Sequence, residues 1–222
     1  KADAKETMKL GILFNTDRLN SKELCNYVLE VERIGLDCLW LPELFTRDPF
    51  ATAGFFLAKT EQLTVATGIA NIYARDPTAA VSSASALQEL SDGRFILGLG
   101  VSNAGLNRTR GHEWQKPLGK LTQYLEAMKS VQLTSAQVSA PINVAAHGPK
   151  MLEIASTKAD GANTYLMPSE HVSAARQILG KESDLNTMLF CLRETDQDTA
   201  RRTARKAIAY YVGLDYYQKA WK

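Results

Sequence analysis

The sequence predicts an α/β fold of repeated βα units, closed as a parallel barrel rather than laid out as an open doubly wound sheet. Three observations carry this. Strand-like and helix-like segments alternate at roughly 25 to 35 residues per unit, the length of a strand, a crossover helix and two loops. Phe95-Ile96-Leu97-Gly98-Leu99-Gly100-Val101 is apolar without alternation, so both of its faces need cover, as in a parallel sheet beneath helices. Small and polar residues suited to ligand contact follow several strands: Pro42-Glu43, Gly68 to Asn71, Gly100 to Asn103, and His147 to Lys150. A barrel gathers all its βα loops at one rim. The G-x-G-x-x-G that a dinucleotide fold places after its first strand is absent, with Asn15-Thr16-Asp17 in its stead.

Each element has a local cause. Leu10 to Phe14 forms a first strand. Asn20, with Glu23 three residues on, makes a capping box for a helix whose Leu24, Val28, Val31 and Ile34 share one face, and Gly35 ends it. Asp37 to Leu41 is the second strand, Pro49 to Lys59 a helix, and Leu63 to Asn71 a third strand of small and β-branched residues. Asp76-Pro77 opens the next helix, the proline sitting where its missing N–H costs nothing. After the apolar fourth strand, Pro117 to Gln132 is a helix with Leu118, Leu121, Leu125 and Met128 on one face. Strand 141–146, helix 149–158, strand 162–166, helix 169–179, strand 185–192 and helix 196–212 complete seven βα units. Barrel closure needs an eighth strand.

Composition bounds the function. The 222 residues hold 45% hydrophobic and 23% charged residues with a net charge of +2, enough chain for one large core, and residues 1–222 are expected to form a single domain. The scattered basic residues offer no surface for nucleic acid or an anionic membrane. Cys25, Cys38 and Cys191 are odd in number and lie in apolar-looking stretches, which predicts buried, reduced thiols and a cytoplasmic setting. No H-x-H, H-E-x-x-H or paired-cysteine pattern occurs, so no metal site is expected. His147 reads as a hydrogen-bonded wall residue, Asp76 as a helix cap and Arg75 as a surface charge.

ATGIANIYARDP at 66–77, LQELSDGRFILGLGVSNAG at 87–105 and INVAAHGPKMLEIASTKADGANT at 142–164, with LDCLWLPELFTRDPFA at 36–51, resemble the luciferase-like monooxygenase superfamily. The similarity is closest to its branch of deazaflavin (coenzyme F-420) dependent oxidoreductases. The resemblance implies a TIM-type (β/α)8 barrel with F-420 or flavin mononucleotide (FMN) at its C-terminal rim, passing hydride between the cofactor ring and a small organic substrate. An FMN monooxygenase supplied by a flavin reductase is the nearest alternative, and a non-catalytic flavin-binding barrel the more distant one. The family commonly pairs as homodimers. It also typically carries one more βα unit and a longer stretch before strand five, so those parts are expected to be missing from this sequence.

Site residues follow from both lines. The resemblance puts a non-prolyl cis peptide at Gly68-Ile69, pressing on the cofactor ring beside Asn71; the residues alone equally allow a glycine serving close strand packing. Gly148, Pro149, Lys150 and Met151 open a helix after a strand, and the free N–H groups and positive dipole end of such a terminus hold phosphate without a basic side chain. An ordinary βα turn is the alternative reading there. Ser102 and Asn103, after strand four, are expected to assist at the phosphate. Glu43, at the end of strand two, is the candidate catalytic residue, orienting substrate or moving a proton if burial raises its pKa. A structural carboxylate paired with Arg47 or a backbone amide explains it as well. Several deazaflavin relatives carry histidine where Leu44 stands, which leaves that acid-base role without its usual companion.

Overall fold

The computed structural model describes residues 8–134 and 138–221. Its strands are β1 (Gly11–Leu13), β2 (Cys38–Leu41), β3 (Thr64–Thr67), β4 (Ala70–Asn71), β5 (Phe95–Gly100), β6 (Ile142–Ala145), β7 (Gly161–Tyr165) and β8 (Asp184–Met188). The helices are α1 (Ser21–Arg33), α2 (Pro49–Leu57), α3 (Pro77–Leu90), α4 (Ala104–Thr109), α5 (Pro117–Lys129), α6 (Pro149–Lys158), α7 (Ser169–Leu179), α8 (Gln197–Val212) and α9 (Asp215–Ala220). All ladders are parallel, in the order β1-β2-β3-β5-β6-β7-β8, with β4 continuing the third strand against β5. This is a TIM-type arrangement of parallel strands alternating with helices, nearly closed. Among the described residues β1 and β8 share no ladder.

The predicted caps are present. Asn20 accepts from the amides of Lys22 and Glu23 while the Glu23 side chain returns to Asn20 N, and Asp76 caps α3 ahead of Pro77; Asp48, not anticipated as a cap, does the same for α2 ahead of Pro49. Leu24, Val28 and Val31 are buried as the periodicity requires, but Ile34 is exposed because the helix has already reached its C-cap there. The main core lies between the sheet and the helices, where Leu39, Val65, Phe95, Leu97, Leu99 and Val144 meet Phe56 and Leu121. Each such side chain contributes about 1.5–3 kcal/mol by leaving water. Alternate residues point into the barrel, where Cys38, Trp40 and Ala66 pack with Leu13, Ile96 and Met188.

Four expectations need correction. The third strand is not continuous: it breaks at Gly68-Ile69 and resumes as β4. The last strand stops at Met188 rather than 192: its ladder with β7 ends at the Tyr165–Met188 pair, and Leu189, Phe190 and Leu192 beyond it stay exposed. The turn after β5 holds an unexpected helix, α4, whose first amides are capped by the Asn103 side chain. Of the cysteines, Cys38 is buried but Cys191, beyond β8, is exposed.

Candidate active site

The C-terminal rim is shaped by the break in the third strand. After Gly68 N donates to Leu41 O at 2.7 Å, the Gly68-Ile69 peptide is cis, and the chain re-enters the sheet through Ala70. Gly68 faces the barrel interior, where a Cβ would lie 3.1 Å from Trp40 Cβ and 3.2 Å from Leu13 Cδ1. The Ile69 side chain lies over Gly100, with Cγ1 only 2.9 Å and Cδ1 3.0 Å from where a Cβ on that glycine would stand, and Ala145 Cβ is 3.1 Å away. Gly100 therefore has to be glycine for the bulge to seat. Gly68, Ile69, Val101 and Ala145 all remain partly exposed, so together they offer a shallow apolar floor.

A buried polar network braces this bulge. Glu43, 6% exposed, donates its backbone N–H to Ile69 O at 3.2 Å. Its Oε2 accepts from Asn71 N at 2.8 Å and from Arg75 Nη1 at 2.7 Å, and its Oε1 from Arg75 Nη2 and Arg110 Nη2, both at 3.3 Å. Arg75 also bonds Asp48 at 2.9 Å and lies over the Phe50 ring at 4.6 Å. Burial pulls the Arg75 pKa down, yet the carboxylates of Glu43 and Asp48 more than offset it and hold the pKa above its ordinary value. The anticipated partner of Glu43, Arg47, instead donates to the carbonyls of Thr16 and Leu19. Arg75 is no surface charge.

Asn71 belongs to the same network. It is fully buried, with its Nδ2 on Asn107 Oδ1 at 2.8 Å and its Oδ1 accepting from Tyr73 N. Asn107 in turn donates to Val101 O and Asn103 O. Beside these residues a cavity of about 210 Å³ opens at the rim, lined by Glu43, Phe45, Arg47, Asp48, Arg75 and Arg110 among others.

On the other side of the bulge, β5 and β6 are ladder neighbours, so Val101-Ser102-Asn103 and His147-Gly148 exit side by side. Ser102 adopts φ 59°, an uncommon conformation for a residue with a side chain. Gly148, Pro149 and Lys150 are exposed at the start of α6, which has no side-chain cap. Met151 N already bonds Gly148 O at 3.0 Å. Of the expected amides, Gly148 and Lys150 thus remain to meet an anion, and Asn103 Oδ1 is engaged by Leu106 N at 2.9 Å. His147 packs beneath α9, stacked on Tyr216 at 6.1 Å and tilted against Tyr217 at 5.2 Å. Burial, helped by His171, pushes its pKa down to about 4. Its backbone oxygen lies 2.6 Å from His171 Nε2, but its own Nδ1 is buried without a hydrogen-bond partner among the described residues, so the ring is a wall residue held by packing rather than the hydrogen-bonded one expected.

The structure therefore gathers Glu43, Gly68, Ile69 and Asn71 on one side of the mouth and Gly148 to Met151 on the other, with Ser102 and Asn103 on the strand next to the second group. The sequence reading missed Asn107, Arg110, Tyr216 and Tyr217 and misplaced Arg75. Asn103 before Ala104-Gly105-Leu106 was a cap signal that would have revealed α4 and, on it, Asn107. No metal-holding group of His, Cys, Asp or Glu occurs among the described residues, and none of the described helices is long and apolar enough to cross a membrane.

A family model described as luciferase-like monooxygenase matches residues 8–221. A 5,10-methylenetetrahydromethanopterin reductase of Archaeoglobus fulgidus is 27% identical over 92% of this chain and 70% of its own length. A putative coenzyme F420-dependent oxidoreductase of Mycobacterium tuberculosis is 29% identical over 63% of this chain and 40% of its own. Among solved structures, the coenzyme F420 dependent tetrahydromethanopterin reductase of Methanopyrus kandleri superposes with a TM-score of 0.74 at 18% identity, covering 93% of this chain and 73% of the other.

Proposed function

This chain belongs to the luciferase-like monooxygenase family, and from that membership we propose a single-domain oxidoreductase that binds coenzyme F420 or FMN at the C-terminal rim and transfers hydride to or from a small organic substrate. The observation that carries the reading is the bulge at Gly68-Ile69, where the third strand breaks, with Ile69 seated over Gly100 and both residues partly exposed at the mouth. The residues fit such a cofactor: an apolar floor for a flat ring lies across the rim from a helix start with free amides for a phosphate. The two F420-linked relatives reported above favour the deazaflavin.

When bound, the cofactor supplies the hydride-accepting or hydride-donating ring carbon. The protein's task is positioning. Gly68 and Ile69 press one ring face, and Gly148 and Lys150 meet the phosphate through their N–H groups, with Ser102 beside them. Pro149 presets the helix start and Met151 closes its first turn. Asn71 and Asn103 act through the backbone they hold, since their amide oxygens are already engaged. Glu43 works in the same way: both carboxylate oxygens carry two hydrogen bonds, so it braces the bulge.

Titrating the protein with F420 and with FMN, followed by difference absorbance, tests the reading. A perturbed F420 spectrum with tighter binding than FMN is expected, followed by turnover with a hydride donor or acceptor. Tighter binding of FMN, with oxygen consumption once it is reduced, assigns the monooxygenase chemistry instead. Failure to bind either removes the proposal.

A further inference from the structure

Resting on that cofactor reading, we propose that the cavity beside Glu43 is a subsite for an anionic group, a carboxylate or phosphate, of the organic substrate. Three guanidiniums line it, those of Arg47, Arg75 and Arg110, against two carboxylates, Glu43 and Asp48, so one positive charge is in excess. The excess is locatable. Arg75 divides itself between Glu43 and Asp48. Among the described residues Arg47 has the carbonyls of Thr16 and Leu19, each at 2.6 Å, and no carboxylate. Arg110 touches Glu43 through Nη2 at 3.3 Å, while its Nη1 is buried with no hydrogen-bond partner among the described residues. A buried guanidinium N–H left unpaired is costly, and a charge-assisted bond to an anion is the strongest way to satisfy it.

Size and place decide whose anion this is. About 210 Å³ is smaller than a whole ligand pocket and suits one group of a larger molecule. The cavity opens off the exit of β2 and the loop before α3, whereas the amides proposed for the cofactor phosphate lie after β6, with β3 and β5 between them in the sheet. An anion here lies across the bulge from the cofactor tail, on the substrate's side. Arg75, held against the Phe50 ring, keeps Glu43 neutralised so that the carboxylate does not repel the incoming group.

Inorganic phosphate and acetate, titrated into the cofactor-free protein and followed by thermal midpoint, probe the cavity directly. Phosphate is expected to bind, with Arg110→Gln weakening it about tenfold to hundredfold and Arg110→Lys restoring most of it. Phe45→Glu, at an exposed position on the lip, is expected to weaken it too without touching the buried network. The ratio of FMN to riboflavin affinity is expected to be the same in Arg110→Gln as in the parent. No response to either anion, an equal response in Arg110→Gln, or a collapse of the FMN to riboflavin ratio in that variant overturns the assignment, the last by placing the cofactor phosphate here. Phosphate binding that needs Arg110 stands even when both cofactor titrations fail, so the two readings fall separately.

Discussion

Ile69 occupies the space that a side chain on Gly100 would need: its Cγ1 is 2.9 Å from that Cβ position. Gly100→Ala must push Ile69 or Ala145 aside, and overpacking of this kind costs about 1–3 kcal/mol. The larger effect is expected on the cofactor, whose affinity drops by about tenfold or more as the bulge shifts. Gly119→Ala, on α5 and away from the mouth, is the control, since a Cβ there meets nothing within 4 Å. Thermal melts and fluorescence titration of both variants measure the contrast.

Glu43→Gln removes a charge that two arginine side chains and an amide were arranged to meet. Breaking a buried pair from one side costs about 3–5 kcal/mol, and denaturant unfolding is expected to show a loss near the lower figure because glutamine keeps one acceptor. The pH dependence of turnover is expected to retain both limbs. A limb that disappears in the variant would return the proton-moving role to Glu43.

His147 makes stability fall with acid. Its pKa is about 4 in the fold against roughly 6.5 unfolded, so between those values the unfolded chain binds the proton that the folded one refuses. The stability is full above pH 6.5 and is lost as the pH falls toward 4, by about 3 kcal/mol in total. Chemical denaturation across this window, in the parent and in His147→Gln, is expected to show a shallower pH slope in the variant.

Arg94 is a structural hub. Its guanidinium donates to Ser91 O at 3.0 Å, Thr60 Oγ1 and Leu63 O at 3.1 Å, and Leu57 O at 3.0 Å, tying the ends of α2 and α3 to the start of β5. Lysine has one point charge and no fork. Arg94→Lys is expected to cost about 2–3 kcal/mol by lowering the denaturant midpoint at constant slope, with cofactor affinity unchanged.

The motif 87–105 thus divides into two halves with different jobs, and this explains what was readable. Asp92-Gly93-Arg94-Phe95 serves the far end of the barrel, and Gly98 to Asn103 serves the mouth. Strand order and helix caps were legible because apolar runs, prolines and capping residues act over a few positions. The bulge and the helix-start amides were reached through family resemblance joined to local chemistry. The Glu43 network was not legible: Asn71, Arg75, Asn107 and Arg110 meet it across 28 to 67 residues of chain, and no local pattern encodes such a meeting. Arg75 in particular looks like any charge in a loop until Phe50 and Asp48 fold against it.

The C-terminal helices bear on how the mouth behaves in time. Helix α8 buries none of its residues; the segment is held by Tyr211 against Tyr165 at 5.4 Å, by the buried Tyr217 and by Trp221 Nε1 on Leu166 O at 2.8 Å. Segments with so few buried anchors open at far lower free energy than the body of a protein. Amide exchange is therefore expected to be quickest along α8 and slowest in β5, with Trp221→Ala accelerating the former alone. Thermal breathing of this flank would periodically uncover His147 beside the already exposed α6 terminus, giving traffic at the phosphate end a tempo independent of the stiff Glu43 side.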